Sequence, residues 1–327
     1  MSNLLDKASI LLTPTAYNDG SMLSVKPENG DGDFTFSRGG NGSRVNSSGN
    51  IVTESANIPR IDYTDGCGNW LLEPQSTNLY LNSDTLATQS NTTSASTYTV
   101  SFYGTGTITF SGTHTGTLVG TGANDRVSAT FTATAGTLTS TISGTCEKGQ
   151  LENLSYASSY IPTNGATSTR LADEATNSGN STLINSTEGV LYVEIAAFND
   201  TSSLKLLALQ SNDNSNRISI GYSNVANTFR VIIRVNGSNV VNQNLTASNL
   251  TDFNKIAFKY KSGQSSIYFN GSEILDLSST NFTFSQDLSI LGFNGGSGGN
   301  PFYGKAKALA VYKEALTDAQ LQSLTTQ

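Results

Sequence analysis

The stretch "NKIAFKYKSGQSSIYFNGSEILDL", residues 254–277, alternates apolar and polar side chains around two tight-turn dipeptides. Successive side chains of a strand point to opposite faces, so Ile256, Phe258 and Tyr260 share one face. Ser262-Gly263 offers a first turn and Asn270-Gly271 a second, which makes the stretch a run of antiparallel hairpins. The device recurs just upstream. In "NTFRVIIRVNGSNVV", residues 227–241, Asn236-Gly237 separates two alternating segments, and "GVLYVEIAAF" opens the same region after Glu188. Short strands at this spacing predict a sandwich of two sheets.

The rest of the chain agrees with a β reading. It has 327 residues, 36% of them hydrophobic and 13% charged, with 31 glycines among long tracts of Ser, Thr and Asn. That balance is too apolar and too weakly charged for disorder, and it pairs strand formers with turn formers. Residues 76–165 form a second sheet-like region. Within "RVSATFTATAGTLTSTISGTCEKGQL", Val127, Ala129, Phe131 and Ala133 fall on one face, with Ser128, Thr130, Thr132 and Thr134 opposite. Helix enters only at the end, in "KEALTDAQLQSLTTQ". There Thr317 and Gln320 have capping-box spacing, and Leu316 with Leu321 forms a hydrophobic staple.

The expected class is therefore all-β: an extended N-terminal attachment segment, two β-sandwich (jelly-roll) domains and a short C-terminal helix. The expected division is 1–75 for the segment, 76–165 for a carbohydrate-binding-module-like sandwich, 166–187 for a linker and 188–327 for the second jelly roll. Residues 1–75 are rich in turns such as "PENGDGDF" and "DYTDGCGNW", so they are expected either to stay flexible or to gain order by lying against another surface, a neighbouring subunit or a larger assembly. "GQLENLSYASSYIPTNGATSTR", residues 149–170, reads as a closing strap, with Tyr156 and Tyr160 laying rings on the sandwich while keeping their hydroxyls wet and Pro162 ending the strand. Arg170 and Asp173 are expected to form a surface ion pair.

Charge and composition narrow the function. A net charge of −7 and the lack of a basic run argue against a nucleic-acid partner. No stretch approaches the length of a membrane span, and Asp6, Lys7 and Pro14 interrupt the N-terminal apolar residues before a signal-peptide core forms. Cys67 and Cys146 are expected as unpaired thiols. Glycosidase chemistry needs two spaced carboxylates on one sheet face, and Glu194 stands isolated; His114, the sole histidine, has no nucleophile elbow near it. No enzyme and no cofactor are expected. Asp213, in "QSNDNSNR", and Asp200 are the weaker candidates for a metal, and none is expected because calcium generally takes more than one carboxylate. Sugar platforms favour aromatic rings and amides on loops, which singles out Asn294, Asn300, Phe302 and Tyr303 around the glycine loop "NGGSGGNPFYG", with Trp70 after "DGCG".

Two resemblances extend this reading. "IAFKYKSGQSSIYFNGSEI" followed by "FYGKAKALAVYKEALTDAQLQSL" resembles concanavalin A-like jelly rolls of the laminin-G type, over roughly residues 186–327. "GDFTFSRGGNGSRVNSSGNI", "PRIDYTDGCGNWLLEPQSTNL" and "GQLENLSYASSYIPTNGATSTRLADE" resemble fibre and spike proteins on tailed-bacteriophage virions, including phages of Bacteroidetes and their crAss-like group, over about residues 1–175. The resemblance implies a virion structural protein, a head or tail fibre or spike assembled in the host cytoplasm and displayed on the virion surface, with adsorption to host-surface glycans. It implies self-association as a homotrimer, with a dimer second, and contact with other virion proteins through the N-terminal segment; neither nucleic acid nor membrane is an expected partner. The alternatives are a dedicated receptor-binding lectin at the tail tip and a glycan-degrading enzyme.

Overall fold

The computed structural model describes residues 4–199 and 203–326. The regular structure of the described residues is nearly all antiparallel β-strand with one short C-terminal α-helix, as the hairpin pattern predicts. It divides into two compact units, one of residues 1–38, 57–72 and 173–327, the other of residues 39–56 and 73–172.

Among the described residues, beside a smaller four-stranded sheet of Tyr17–Asn18, Ser21–Met22, Phe34–Ser37 and Glu174–Thr176, the sandwich of the first unit is built from thirteen strands in two sheets. In chain order these are β1 (Ile10–Leu12), β2 (Ile61–Asp62), β3 (Asn69–Leu72), β4 (Glu188–Ala196), β5 (Lys205–Gln210), β6 (Arg217–Tyr222), β7 (Thr228–Val235), β8 (Ser238–Thr246), β9 (Asn254–Lys261), β10 (Ser265–Phe269), β11 (Ser272–Leu277), β12 (Ile290–Gly292) and β13 (Gly304–Tyr312). One sheet has the order β11-β10-β9-β4-β13-β3-β2, with β1 also paired to β13; the other runs β8-β7-β6-β5-β12. Their facing sides share one core, to which Leu191, Val193, Ile256, Phe258 and Val311 contribute from the first and Leu207, Ile218, Ile220, Phe229 and Val231 from the second. The turns take the expected form. Asn236 and Gly237 have φ of 49° and 79°, and Asn270 and Gly271 have 45° and 88°, the left-handed pair that a two-residue hairpin requires.

The two outer faces differ. On the larger sheet Val190, Tyr192, Ala257, Tyr268, Ala310 and Tyr312 form a second buried cluster under helix α1 (Asp318–Thr325), which contributes Leu321, and under Leu316. Burial on both faces explains why "GVLYVEIAAF" is almost continuously apolar. The helix begins where the sequence places it: Thr317 and Gln320 form the reciprocal capping box, and the staple residues Leu316 and Leu321 are both buried. Among the described residues no helix lies on the outer face of the smaller sheet, which carries Gln210, Arg217, Ser219, Arg230 and Arg234.

The linear division expected from composition is redrawn. Residues 1–38 and 57–72 are integral to the sandwich of residues 173–327: β1 pairs in register with Leu309–Val311, β3 pairs with Gly304–Ala306, and Ile10, Leu12, Trp70 and Leu72 enter the core. The surface that covers this segment is its own chain, in place of the expected neighbouring subunit or larger assembly. Residues 166–187 are no open linker. Ser168–Arg170 pairs with Ser76–Asn78, Glu174–Thr176 pairs with Phe34–Ser37, and Ser178 and Ile184 are buried. The expected Arg170–Asp173 surface pair is replaced by two buried sets. Asp173 Oδ1 lies 3.0 Å from Arg38 Nη1, and Oδ2 accepts from Arg60, all three side chains fully buried. Arg170 lies 3.2 Å from Glu73. Alternation predicts which residues face out, but not which distant charge arrives to pair.

The second unit holds its own core between a three-stranded sheet (Gly122–Ala133, Ser96–Gly104, Glu147–Glu152) and a four-stranded one (Gln89–Thr93, Gly136–Ser143, Thr107–Gly112, Gly116–Val119). Phe131 and Ala133 are buried while Thr130 and Thr132 are exposed, as the alternation predicts. The strap at 149–170 closes this unit through buried polar groups. Gln150 Oε1 accepts from Ile161 N at 2.6 Å, and buried Glu152 accepts from Ser76 Oγ at 2.6 Å and Ser158 N at 3.0 Å. Tyr160 departs from the expected wet hydroxyl: it bonds Ser83 at 2.6 Å and donates to Asp84 at 2.9 Å, and burial raises its pKa.

Candidate functional site

The outer face of the β8-β7-β6-β5-β12 sheet is set by register. Ile218, Ile220 and Tyr222 of β6 face the core, so Arg217, Ser219 and Gly221 face away. Opposite them on β7 stand Arg234, Ile232 and Arg230, and on β5 Gln210, Ala208 and Leu206. β8 adds Asn242 beside Ile232 and Asn244 beside Arg230. The result is a row Gln210–Arg217–Arg234 across three strands, with amides along one side.

Several polar atoms of this face lack partners. Gln210 Oε1, Arg217 Nε, Ser219 Oγ and Arg234 Nε are buried with no hydrogen-bond partner among the described residues. Gln210, Arg217 and Ser219 are 6%, 7% and 0% exposed. Native interiors leave few such atoms, and each one invites an explanation. Arg217, Arg230 and Arg234 have no carboxylate within ion-pair distance among the described residues. Burial, and then the neighbouring Arg234 charge, lower the Arg217 pKa, so this cation sits in a field that disfavours it.

Loops hold the row in place. Arg217 Nη1 donates to Asn214 Oδ1 at 3.3 Å and to the carbonyl of Gly295. The glycine loop closes on itself through Gly295 N to Gly299 O at 2.6 Å and Gly296 N to Asn294 Oδ1 at 2.8 Å. Gly296 has φ of 103°, and a Cβ there would collide with Asn214 Oδ1 and Gln210 Oε1, so only glycine lets this loop approach so closely. Asp213 is committed to its own loop. Ser215 N and Oγ, Ser211 Oγ and Gln286 Nε2 donate to it, the backbone bond leading, and push its pKa down to about 2.

The glycan candidates from sequence divide. Asn294 is buried in the glycine loop, and Asn300 is exposed with φ of 51°, its carbonyl accepting from Leu206 N at 3.0 Å; both sit beside the row. Trp70 and Phe302, each 1% exposed, are core residues, and Phe302 lies 5.7 Å from Tyr222, centroid to centroid. Their rings cannot stack on a ligand in solvent. Tyr303 is half-buried, its hydroxyl pKa raised by burial and then by Glu174 and Asp173. Asp200 lies outside the described residues, and among those described no three His, Cys, Asp or Glu side chains gather as a metal site. Glu194 lines a separate groove of about 800 Å³ with Tyr192, Lys307, Leu5 and Leu324. His114 stacks on Phe131 at 4.0 Å. Arg217 and Arg234 are not among the residues that sequence reasoning selects. Strand alternation places Arg230 and Arg234 opposite Phe229, Val231 and Ile233, which is a usable signal, but Arg217 joins them only through the β6–β7 register.

Residues 190–322 match the Laminin_G_3 family of the concanavalin A-like lectin/glucanases superfamily. This part of the chain has the concanavalin A-like jelly-roll fold, and β1 to β3 lie outside the matched residues. The chain is similar in structure to the CBM40 module of the Ruminococcus gnavus IT-sialidase bound to α2,3-sialyllactose, with 16% identity, 46% of this chain and 94% of that one covered, and a TM-score of 0.38. It is also similar to the leech intramolecular trans-sialidase complexed with 2,7-anhydro-Neu5Ac (18%, 46% and 26% covered, 0.36) and to the heptameric SAP-like pentraxin of Limulus polyphemus (17%, 46% and 72% covered, 0.33). No curated protein sequence matches the chain.

Proposed function

We propose that the protein is a non-enzymatic virion component, a head or tail fibre or spike of a tailed phage, that presents its jelly roll to host-surface glycans. The observation that carries the glycan reading is the polar outer face of the five-stranded sheet. Gln210, Arg217, Arg230, Arg234, Asn242 and Asn244 offer donors and acceptors in fixed directions, with Arg230 Nε held to Asn242 Oδ1 at 2.6 Å. Hydroxyl-rich ligands need this kind of converging amide and guanidinium chemistry. The virion reading is supported by the resemblance of residues 1–175. Copies associate as a homotrimer, with a dimer second, and contacts with other virion proteins fall to exposed turns within residues 1–75.

A soluble-glycan array probed with the labelled full chain tests the glycan reading. A selective signal that Asn242→Ala and Asn244→Ala diminish is expected. A flat array would sink glycan recognition and leave a purely structural fibre. Incubated with a polysaccharide panel, the protein is expected to release no reducing sugar; turnover abolished by Glu194→Gln would overturn the non-enzymatic assignment.

A further inference from the structure

We propose that the Arg217–Arg234 pair is a subsite for a carboxylate, so that the glycans this face takes are acidic sugars. The inference rests on the glycan reading above and names its substrate class.

Two guanidinium groups stand on adjacent strands as direct register partners, with no carboxylate in ion-pair range among the described residues. Each keeps a buried Nε–H without an acceptor among the described residues. Elsewhere in the same unit buried arginines are neutralised: Arg38 and Arg60 share Asp173. The contrast matters, because two like charges held together in a poorly solvated place are destabilised unless an anion joins them. The nearest acid in sequence, Asp213, cannot serve, since its oxygens are taken by Ser211, Ser215 and Gln286. A planar carboxylate suits the vacancy, because guanidinium donors are arranged as a fork that matches its two oxygens. Ser219 Oγ–H, also without a partner, adds a donor in the next row, and Gln210 Oε1 can accept from a sugar hydroxyl. The neighbouring Asn242 and Asn244 then meet the neutral part of the ligand.

Arg217 also holds the glycine loop through Gly295, so its removal disturbs structure. Arg234 has no such tie and is the informative position. The experiment is calorimetric titration of the full chain, and of Arg234→Gln and Arg234→Lys, with four probes: tri-galacturonate, its carboxyl-reduced counterpart, a methyl sialoside and lactose. At least one carboxylated probe is expected to bind ten-fold or more tighter than the neutral sugars. Arg234→Gln is expected to abolish that preference, so that carboxylated and neutral probes bind alike, with Arg234→Lys retaining part of it. Tri-galacturonate and the sialoside separate a hexuronate from a nonulosonate as the carboxylate source. Equal affinity for tri-galacturonate and its reduced form, with no preference for the sialoside, overturns the subsite while leaving glycan binding standing. A preference unchanged in Arg234→Gln overturns it too. If none of the probes and no array glycan binds, the glycan reading itself fails and this inference with it.

Discussion

Trp70→Ala should unfold the first unit well before the second. Trp70 is 1% exposed, packs edge-on against Tyr17 at 6.4 Å between centroids, and belongs to the core shared by both sheets. Removing a buried indole and leaving the cavity costs about 3–5 kcal/mol. For a unit of this size that corresponds to a fall of roughly 6–20 °C in melting temperature. Trp70→Phe supplies the internal control. The indole Nε1–H has no hydrogen-bond partner among the described residues, so phenylalanine removes an unsatisfied buried donor together with part of the ring. Its cost should stay below about 1.5 kcal/mol. Because Trp70 is the one tryptophan, wild-type emission should be blue-shifted and should move red in the same transition that circular dichroism reports for the sandwich. An Ala variant that melts with the wild type, or emission already red-shifted in the native protein, would refute the placement of residues 57–72 inside the C-terminal sandwich.

Lys205 is buried without an ion-pair partner among the described residues, and burial lowers its pKa to about 8. The folded protein therefore bears the full penalty of a buried ammonium below about pH 8 and sheds it between pH 8 and roughly 10.5; Lys205→Met should stabilise by about 2–3 kcal/mol at pH 7, a gain that disappears above pH 10.5 in denaturant titrations. Asp173→Asn leaves Arg38 and Arg60 without their shared carboxylate and should cost about 3–5 kcal/mol in the same assay, whereas an exposed pair would lose under 1. Thr317→Ala should cost about 1 kcal/mol through loss of the α1 cap, and an unchanged unfolding midpoint would count against the capping box.

What could be read from the sequence was local. Asn236-Gly237 and Asn270-Gly271 announce hairpins because few other dipeptides accept two left-handed residues, and Thr317 with Gln320 announces a helix start because capping is decided within four residues. The partners of β1 were illegible for the opposite reason. "ILL" matches any buried strand, and nothing in those three residues selects Leu309–Val311, nearly three hundred positions away. Trp70 and Phe302 invited a ligand-binding reading because aromatic rings beside glycine turns occur both in sugar platforms and in cores; burial alone separates the two. The arginine pair needed the β6–β7 register before Arg217 met Arg234, and no local pattern in either strand supplies that register.

The pairing of β1 with β13 also sets a schedule. At ribosomal speeds of about 5–20 residues per second, Ile10–Leu12 leaves the ribosome some tens of seconds before its partner Leu309–Val311 is made. The interval covers the synthesis of every residue of the second unit, whose strands can pair while the first unit still lacks an edge. Until Leu309–Val311 emerges, an apolar strand waits without its β13 partner, and neighbouring nascent chains on one messenger carry the same strand at the same time. The brief interval before β13 emerges is when one copy can most readily capture another.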